Sequence, residues 1–578
     1  MRFNFIPLIQ LAVAGIATAN FFHRNLAYHS PFATHPQLGH DTSKINENCI
    51  QRRQNMDSAA FKDGHYATFY GGDFSNTPFI WGGGVNFTHA GKEGDPFDTS
   101  VLLWTRAVPL ASSGGAVPNV DVPVCVAYQV GTTPDLSGRI VSRGEAFTSY
   151  DVDWTVKVEA TGLKPDTKYF YSFKDCATAA TRWFNAYGFA AHNTSADIFI
   201  HLGDYIYESL GNGAHIGRQT LGRELATIKD YRQRLNQYRT DQSLVDAHLR
   251  APWITVSDNS WKAGTADSND TTVGCAFSAS GACFTDRKLA AVRAYHEWMP
   301  IRQVDPQDKL RIWRNFQIGK LLDLTMLDTR QYDRDITDMY YNTDVNTIAS
   351  FANRSLMGAA QEKWFFDTVS ESKSRGAVWR VVGQQIVFTQ LNELGSCTFS
   401  FPTSHDAWDG YRANRKRVLD HISQNRISNT VILSGDSHAN WVSDLAYPND
   451  TTTYDPVTGK GAIGVEFAGT AVTSGSSFGS GITPAAANAV STQLVGLNPD
   501  LQWSEGSYRG FFTLSIDSLH LNATYYGMNN ISFANLDGFA TAQFVVKAGE
   551  NKLSRPVAGG SVLAGVLQSQ LPASNSTN

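Results

Sequence analysis

Ala196 to Glu208 reads Ala-Asp-Ile-Phe-Ile-His-Leu-Gly-Asp-Tyr-Ile-Tyr-Glu, an apolar β-type run that stops abruptly at Gly203-Asp204. A strand ending in a Gly-Asp turn delivers a carboxylate to the carboxyl edge of a sheet, where open α/β folds keep their ligand sites. The same design recurs downstream, where Thr430-Val-Ile-Leu-Ser runs into Gly435-Asp436-Ser437-His438. A single Gly-Asp after a strand is more often only a turn, because both residues favour turns. Two such strands, with His438 two residues beyond Asp436, point instead to oxygen and imidazole ligands brought from distant segments to one metal centre.

A chain of 578 residues is too long for one core, and its 42% hydrophobic content supports two domains plus tails. The net charge of −5 comes with no basic stripe that could track a nucleic-acid backbone, so sequence-specific nucleic acid is excluded as a partner. Residues 1–20 have one positive charge, a short apolar run and a small-residue finish, the layout of a secretory signal peptide. An uncleaved signal anchor is the alternative; either way the protein is expected to be exported. Sequons at Asn86, Asn193, Asn269, Asn353, Asn449, Asn522, Asn530 and Asn575 agree with a glycoprotein. Of the six cysteines, Cys275 and Cys283 bracket a small loop and are expected to bridge. Cys125 and Cys176 could bridge within the first domain, and Cys49 and Cys397 could be left over or paired. No C-x-x-C occurs, which argues against a zinc ribbon.

Residues 21–75 are polar and aperiodic, and are expected to wrap the surface as an extension. Residues 76–178 read as short strands, seven or so, among them 100–106, 122–130, 155–160 and 167–173, with Gly, Pro and Asp turns between them. That spacing suggests an immunoglobulin/fibronectin-like β-sandwich. Residues 184–548 alternate strands with helical patterns, as in a layered α/β domain. Helices are expected at 224–247, 286–298, 361–369 and 412–425, and strands at 321–328 and 378–388; residues 549–578 read as a tail.

HLGDYIYE, AVRAYHEWMPIR, LDTRQYD, MGAAQEKWF, WRVVGQQIVF, HDAWDGYRANRKRVL, ILSGDSHANWVSDL and VEFAGTAVTSG occur in that order. Together they resemble the alkaline phosphatase D (PhoD-like) family of metallophosphoesterases, in a fungal-type secreted form, and DPFDTSVLLWTRAVP with DVDWTVKVEATGLKPDTKYFYSF resembles that family's amino-terminal sandwich. The resemblance covers about Pro78 to Val545. It implies an α/β (α+β) chain: a β-sandwich followed by a calcineurin-like α/β/β/α domain. The chemistry implied is hydrolysis of phosphomonoesters and phosphodiesters at an iron (Fe3+) and calcium (Ca2+) cluster.

The resemblance assigns Asp204 as a metal-bridging carboxylate and Tyr207 as an iron-binding phenolate, with Asp436 and His438 in the Gly-Asp-x-His ligand turn. Hard carboxylates suit calcium, and a phenolate suits ferric iron. Arg330, at a strand end, could clamp phosphate oxygens through paired N–H donors; the alternative is a salt bridge with Asp328 or Asp333. Tyr205 and Trp441 read as packing residues. Two segments of the family pattern are missing. Between Cys176 and Phe184 only seven residues remain, too few and too polar for the expected strand with its iron-binding cysteine. After Val256 the chain passes from Ser257 to Asp258-Asn259 without the Asp-Asp-His-Glu core, leaving Asn259 as the one candidate ligand there. The losses suggest either a splice or gene-model variant of a working phosphatase or a pseudoenzyme that acts as a secreted binding protein.

Overall fold

In the computed structural model of the chain, the described residues are 85–97, 99–109, 124–136, 138–148, 153–173, 184–207, 225–239, 241–256, 282–302, 304–305, 308, 310–335, 348–392, 406–479 and 481–571. Asn259, the leader, the 21–75 extension and Cys49, Cys176, Cys275 and Cys397 lie outside them. No described helix is long and apolar enough to cross a membrane.

Six strands come first: β1 (Val85–Phe97), β2 (Ser100–Pro109), β3 (Val124–Gly131), β4 (Ile140–Thr148), β5 (Thr155–Thr161) and β6 (Phe170–Phe173). They form two layers, β5-β2-β1 and β4-β3-β6, whose neighbours are all antiparallel. Strand side chains alternate between faces, and Leu103, Val126, Val130, Val156 and Val158 supply the shared buried cluster.

The first layer continues beyond β1. Gly94 pairs in parallel with Trp253 of β8 (Trp253–Thr255), and β8 pairs with β7 (Phe199–His201). One five-stranded sheet, β5-β2-β1-β8-β7, therefore runs through both parts of the chain. Glycine is required at position 94, because a Cβ there would lie 2.3 Å from the Pro300 carbonyl oxygen. The Trp104 indole N–H donates to the Glu297 carbonyl at 2.5 Å, and Arg302 pairs with Glu159 at 2.8 Å, both side chains buried. These contacts close the seam.

The second part holds helices α1 (Asn185–Asn193), α2 (Ile228–Tyr238), α3 (Gln242–Arg250), α4 (Phe284–Trp298), α5 (Gly358–Arg375), α6 (Arg412–Gln424) and α7 (Pro484–Leu497). Its remaining strands are β9 (Arg314–Ile318), β10 (Leu322–Met326), β11 (Trp379–Gly383), β12 (Thr430–Ser434), β13 (Asn440–Leu445), β14 (Gly464–Ala468), β15 (Leu501–Glu505), β16 (Arg509–Ile516), β17 (His520–Met528), β18 (Gly538–Lys547) and β19 (Val566–Leu567). An eight-stranded sheet runs β19-β15-β13-β14-β12-β11-β10-β9, parallel among β10, β11, β12 and β14. Those four strands are buried throughout, which explains why they read as continuous rather than alternating runs. Helices α5 and α6 cover one face through Phe365, Val369, Val418 and Ile422. The antiparallel sheet β16-β17-β18 covers the other, with Tyr525 and Phe544 against Val381, Leu433 and Phe467.

Two expectations need correction. The single helix at 224–247 is two, α2 and α3, because the Asp241 side chain caps a new helix by accepting the Leu244 N–H at 3.2 Å. Residues 549–571 are no tail: β19 pairs with β15, and Leu553, Val557 and Leu567 are at most 2% exposed in the core. Cys283 is buried and disulfide-bonded.

Candidate active site

The strands β7 and β12 carry the two Gly-Asp turns to one place. A Cβ on Gly435 would come within 2.9 Å of the Leu202 carbonyl oxygen, so the missing side chain lets the turns touch. Asp204, Asp436 and His438 hold φ of 53°, 66° and 54°. This left-handed backbone is unfavourable for L-residues but most accessible to Asn, Asp and His.

The Tyr207 hydroxyl donates to Asp204 Oδ2 at 2.9 Å and lies 2.8 Å from His438 Nε2. On the far side of the ring, His438 Nδ1 sits 2.9 Å from the Gly475 carbonyl. A carbonyl faces only a donor, so Nδ1 carries a proton there and the ring turns Nε2 toward Tyr207 and Asp204. Asp204 Oδ2 and His438 Nε2 are 3.9 Å apart. Three atoms so spaced suit the ligands of a single cation bonded at about 2.0–2.2 Å. Among the described residues no group of three or more His, Cys, Asp or Glu is placed so that it could by itself hold a metal ion, so the triad depends on its tyrosine.

The surroundings fix these groups. Arg234 of α2 donates to the Tyr207 carbonyl at 2.8 Å, and the Tyr207 N–H reaches the Tyr238 hydroxyl at 3.3 Å. Arg509 of β16 donates to the carbonyls of His438 and Ser474 at 2.8 and 3.0 Å, tying the ligand turn to the loop after β14. Burial opposes ionisation of Asp204, but His438, Arg330 and Tyr207 outweigh it and hold that carboxyl below its usual range. Burial, and then the Asp204 charge, push the Tyr207 phenol far up.

Asp436 belongs to a different pairing. The buried Arg330 guanidinium binds Asp436 Oδ1 directly and donates to Asp406 Oδ2 at 2.9 Å. Arg334 donates to Asp406 Oδ1 at 2.7 Å. Neither Asp328 nor Asp333 is the partner suggested by proximity in sequence. Asp328 instead accepts the backbone N–H groups of Arg330 and Gln331, each at 3.1 Å, and so shapes the turn that aims Arg330. Burial raises Asp436, and Asp204 and Asp406 raise it further against the pull of Arg330.

The structure thus brings Asp204, Tyr207, His438, Asp436 and Arg330 together; Asn259 lies outside the described residues. Tyr205 and Trp441 are buried packing groups, the former against His248 and the latter against Phe478. Sequence reasoning missed Asp406, Arg334 and Arg509. Asp406 falls in the HDAWDGYRANRKRVL stretch, but no local spacing marks it as the partner of an arginine 76 residues away.

The family model for PhoD-like phosphatase matches residues 171–525, and that for PhoD-like phosphatase, N-terminal domain, matches residues 81–187. Alkaline phosphatase D of Bacillus subtilis (strain 168) is 31% identical over 519 residues, covering 84% of this chain and 84% of that protein. A solved structure described as the structure of PhoD is similar with a TM-score of 0.66 at 30% identity, covering 81% of this chain and 91% of that one. The family model over residues 171–525, with 31% identity across 84% of both chains, places the chain in the PhoD-like phosphatase family of phosphoric ester hydrolases.

Proposed function

We propose that this chain is an exported, metal-dependent phosphatase acting on phosphomonoesters and phosphodiesters, built on a calcineurin-like α/β/β/α domain behind an immunoglobulin-like sandwich. The observation that carries the reading is the triad Asp204, Tyr207 and His438, whose spacing suits one cation. Ferric iron fits the phenolate and imidazole, and calcium fits the remaining carboxylate oxygens. A cation held there supplies Lewis acidity toward an ester oxygen and makes water a better nucleophile at neutral pH.

The chain's own residues do the rest. The Gly475 carbonyl fixes the His438 ring so that Nε2 faces the site. Arg330 and Arg334 offset three clustered carboxylates, Asp204, Asp406 and Asp436, which would otherwise repel an anionic ester. Asp328 holds the Arg330 turn in place.

The test is turnover of p-nitrophenyl phosphate and bis-p-nitrophenyl phosphate by the full chain supplied with iron and calcium. The expected result is hydrolysis that EDTA abolishes, with bound metal lost and kcat/KM lowered at least about hundredfold in His438→Ala. Absence of both turnover and bound metal would instead favour the second reading, a secreted binding protein. That reading draws on the engagement of Asp436 by Arg330, which leaves three donors for one ion.

A further inference from the structure

From Asp204, Asp436 and His438 a cavity of about 730 Å³ runs back into the body of the domain, a size ordinary for a small-molecule site. Its long wall is β16, every residue of which from Gly510 to Ile516 lines it. This strand begins beside the ligand turn, since Arg509 donates to the His438 carbonyl at 2.8 Å and the Gly510 N–H donates to the Ala471 carbonyl at 3.1 Å. Six steps along a strand cover about 20 Å. Leu322, at the end of β10 away from Arg330, lines the cavity too. The space is therefore elongated, with the candidate active site at one end.

Leu324, Val381 and Leu433 of the large sheet form part of the lining, and α1 contributes Tyr187 and Ala190. Ile200, Leu202, Phe512 and Leu514 also line it; each packs against the buried core yet stays only half-buried. Large apolar side chains inside a layered domain are ordinarily covered, and here they present apolar surface to an open space. Between the two ends the described lining carries no charged side chain. Asp204, Asp436 and His438 stand at the site, Asp197 precedes β7 at the other end, and burial keeps His201 neutral by lowering its pKa to about 4. A sugar or polyol along that wall would give up its water for few side-chain partners, whereas each methylene buried there is favourable. We infer that the cavity receives the organic group of the phosphate ester and that this group is an elongated aliphatic chain, its phosphoryl end at Asp204, Tyr207 and His438. The inference rests on the hydrolase reading of that triad and adds a substrate class to it. Hydrolysis of such a monoester joins the water oxygen to phosphorus, breaks the bond from phosphorus to the chain oxygen, and passes a water proton to the departing alcohol, leaving inorganic phosphate.

The experiment supplies the full chain with iron and calcium and measures phosphate release from ethyl, hexyl and decyl phosphate, all below their micelle-forming concentrations. The expected kcat/KM rises roughly threefold for each added methylene until the cavity is filled. Leu514→Trp, which fills part of the space, should cut the decyl-to-ethyl ratio at least about tenfold. Calorimetric binding of ethylphosphonate and decylphosphonate, whose carbon–phosphorus bond is not hydrolysed, reads the same preference without turnover and without the variant. There decylphosphonate should bind at least about a hundredfold more tightly than ethylphosphonate, and decanol far more weakly than decylphosphonate. Chain-length-dependent phosphonate binding with no ester turned over would refute the hydrolase reading while supporting the aliphatic ligand. Equal kcat/KM across the series with equal phosphonate affinities, or decanol binding as well as decylphosphonate, would overturn the inference and leave the hydrolase reading standing.

Discussion

Arg330 sets the charge balance of the site. Its side chain is 2% exposed and serves two carboxylates, while Asp406 is 36% and Asp436 31% exposed. Arg330→Gln strands Asp436 and leaves Asp406 to Arg334 alone, and partial exposure lets water screen both carboxylates, so the expected loss is about 1–3 kcal/mol rather than the full cost of a broken buried pair. Thermal denaturation would measure that loss, and a rise in KM for p-nitrophenyl phosphate would report the change in site charge. Asp500 gives a pH-dependent counterpart. Burial pushes its carboxyl up to about 7, with Glu466 and Asp444 adding to the shift and Arg415 opposing it. The folded state therefore binds more protons than the unfolded one between about pH 4 and pH 7, and stability falls as pH rises through that window. Asp500→Asn is expected to raise the melting temperature at about pH 8 and to give no gain at about pH 4. Asp204 and His438 were legible because each ends a strand in a short turn. Asp406 and Asp500 were not, since their roles come from burial and from partners far away in sequence.

Helix α2 holds Tyr207 in place, and its amino terminus is a complete capping box. The Asp230 N–H donates to Thr227 Oγ1 at 3.2 Å, and the Thr227 N–H donates to Asp230 Oδ2 at 3.0 Å. Thr227→Ala should cost about 1 kcal/mol. Because Arg234 and Tyr238 of the same helix contact the Tyr207 backbone, activity should fall at temperatures below the global melting point. Activity measured against temperature alongside circular dichroism would separate the two effects. The apolar period of this region was readable from Leu225, Ile228, Tyr231, Leu235 and Tyr238, yet the break after it was not. Periodicity continues across Asp241, and only the cap geometry shows that a new helix starts there.

At the scale of the whole molecule, the carboxyl-terminal stretch closes the core. Leu553, Val557 and Leu567 each contribute about 1.5–3 kcal/mol by burial, together a large share of a typical total stability of about 5–15 kcal/mol. A chain ending at residue 548 should lose its cooperative melting transition and its resistance to protease. Small residues interleave with these apolar ones, Leu-Ser-Arg-Pro-Val-Ala-Gly-Gly, so neither helix nor strand periodicity announces them. The strand order also bears on motion. With β1 laddered to β8, and Trp104 and Arg302 reaching across the same seam, the sandwich is no swinging partner on a hinge. Calorimetry should record one melting event instead of two, because the Gly94–Trp253 pairing and the Trp104 and Arg302 contacts join the two halves across one seam.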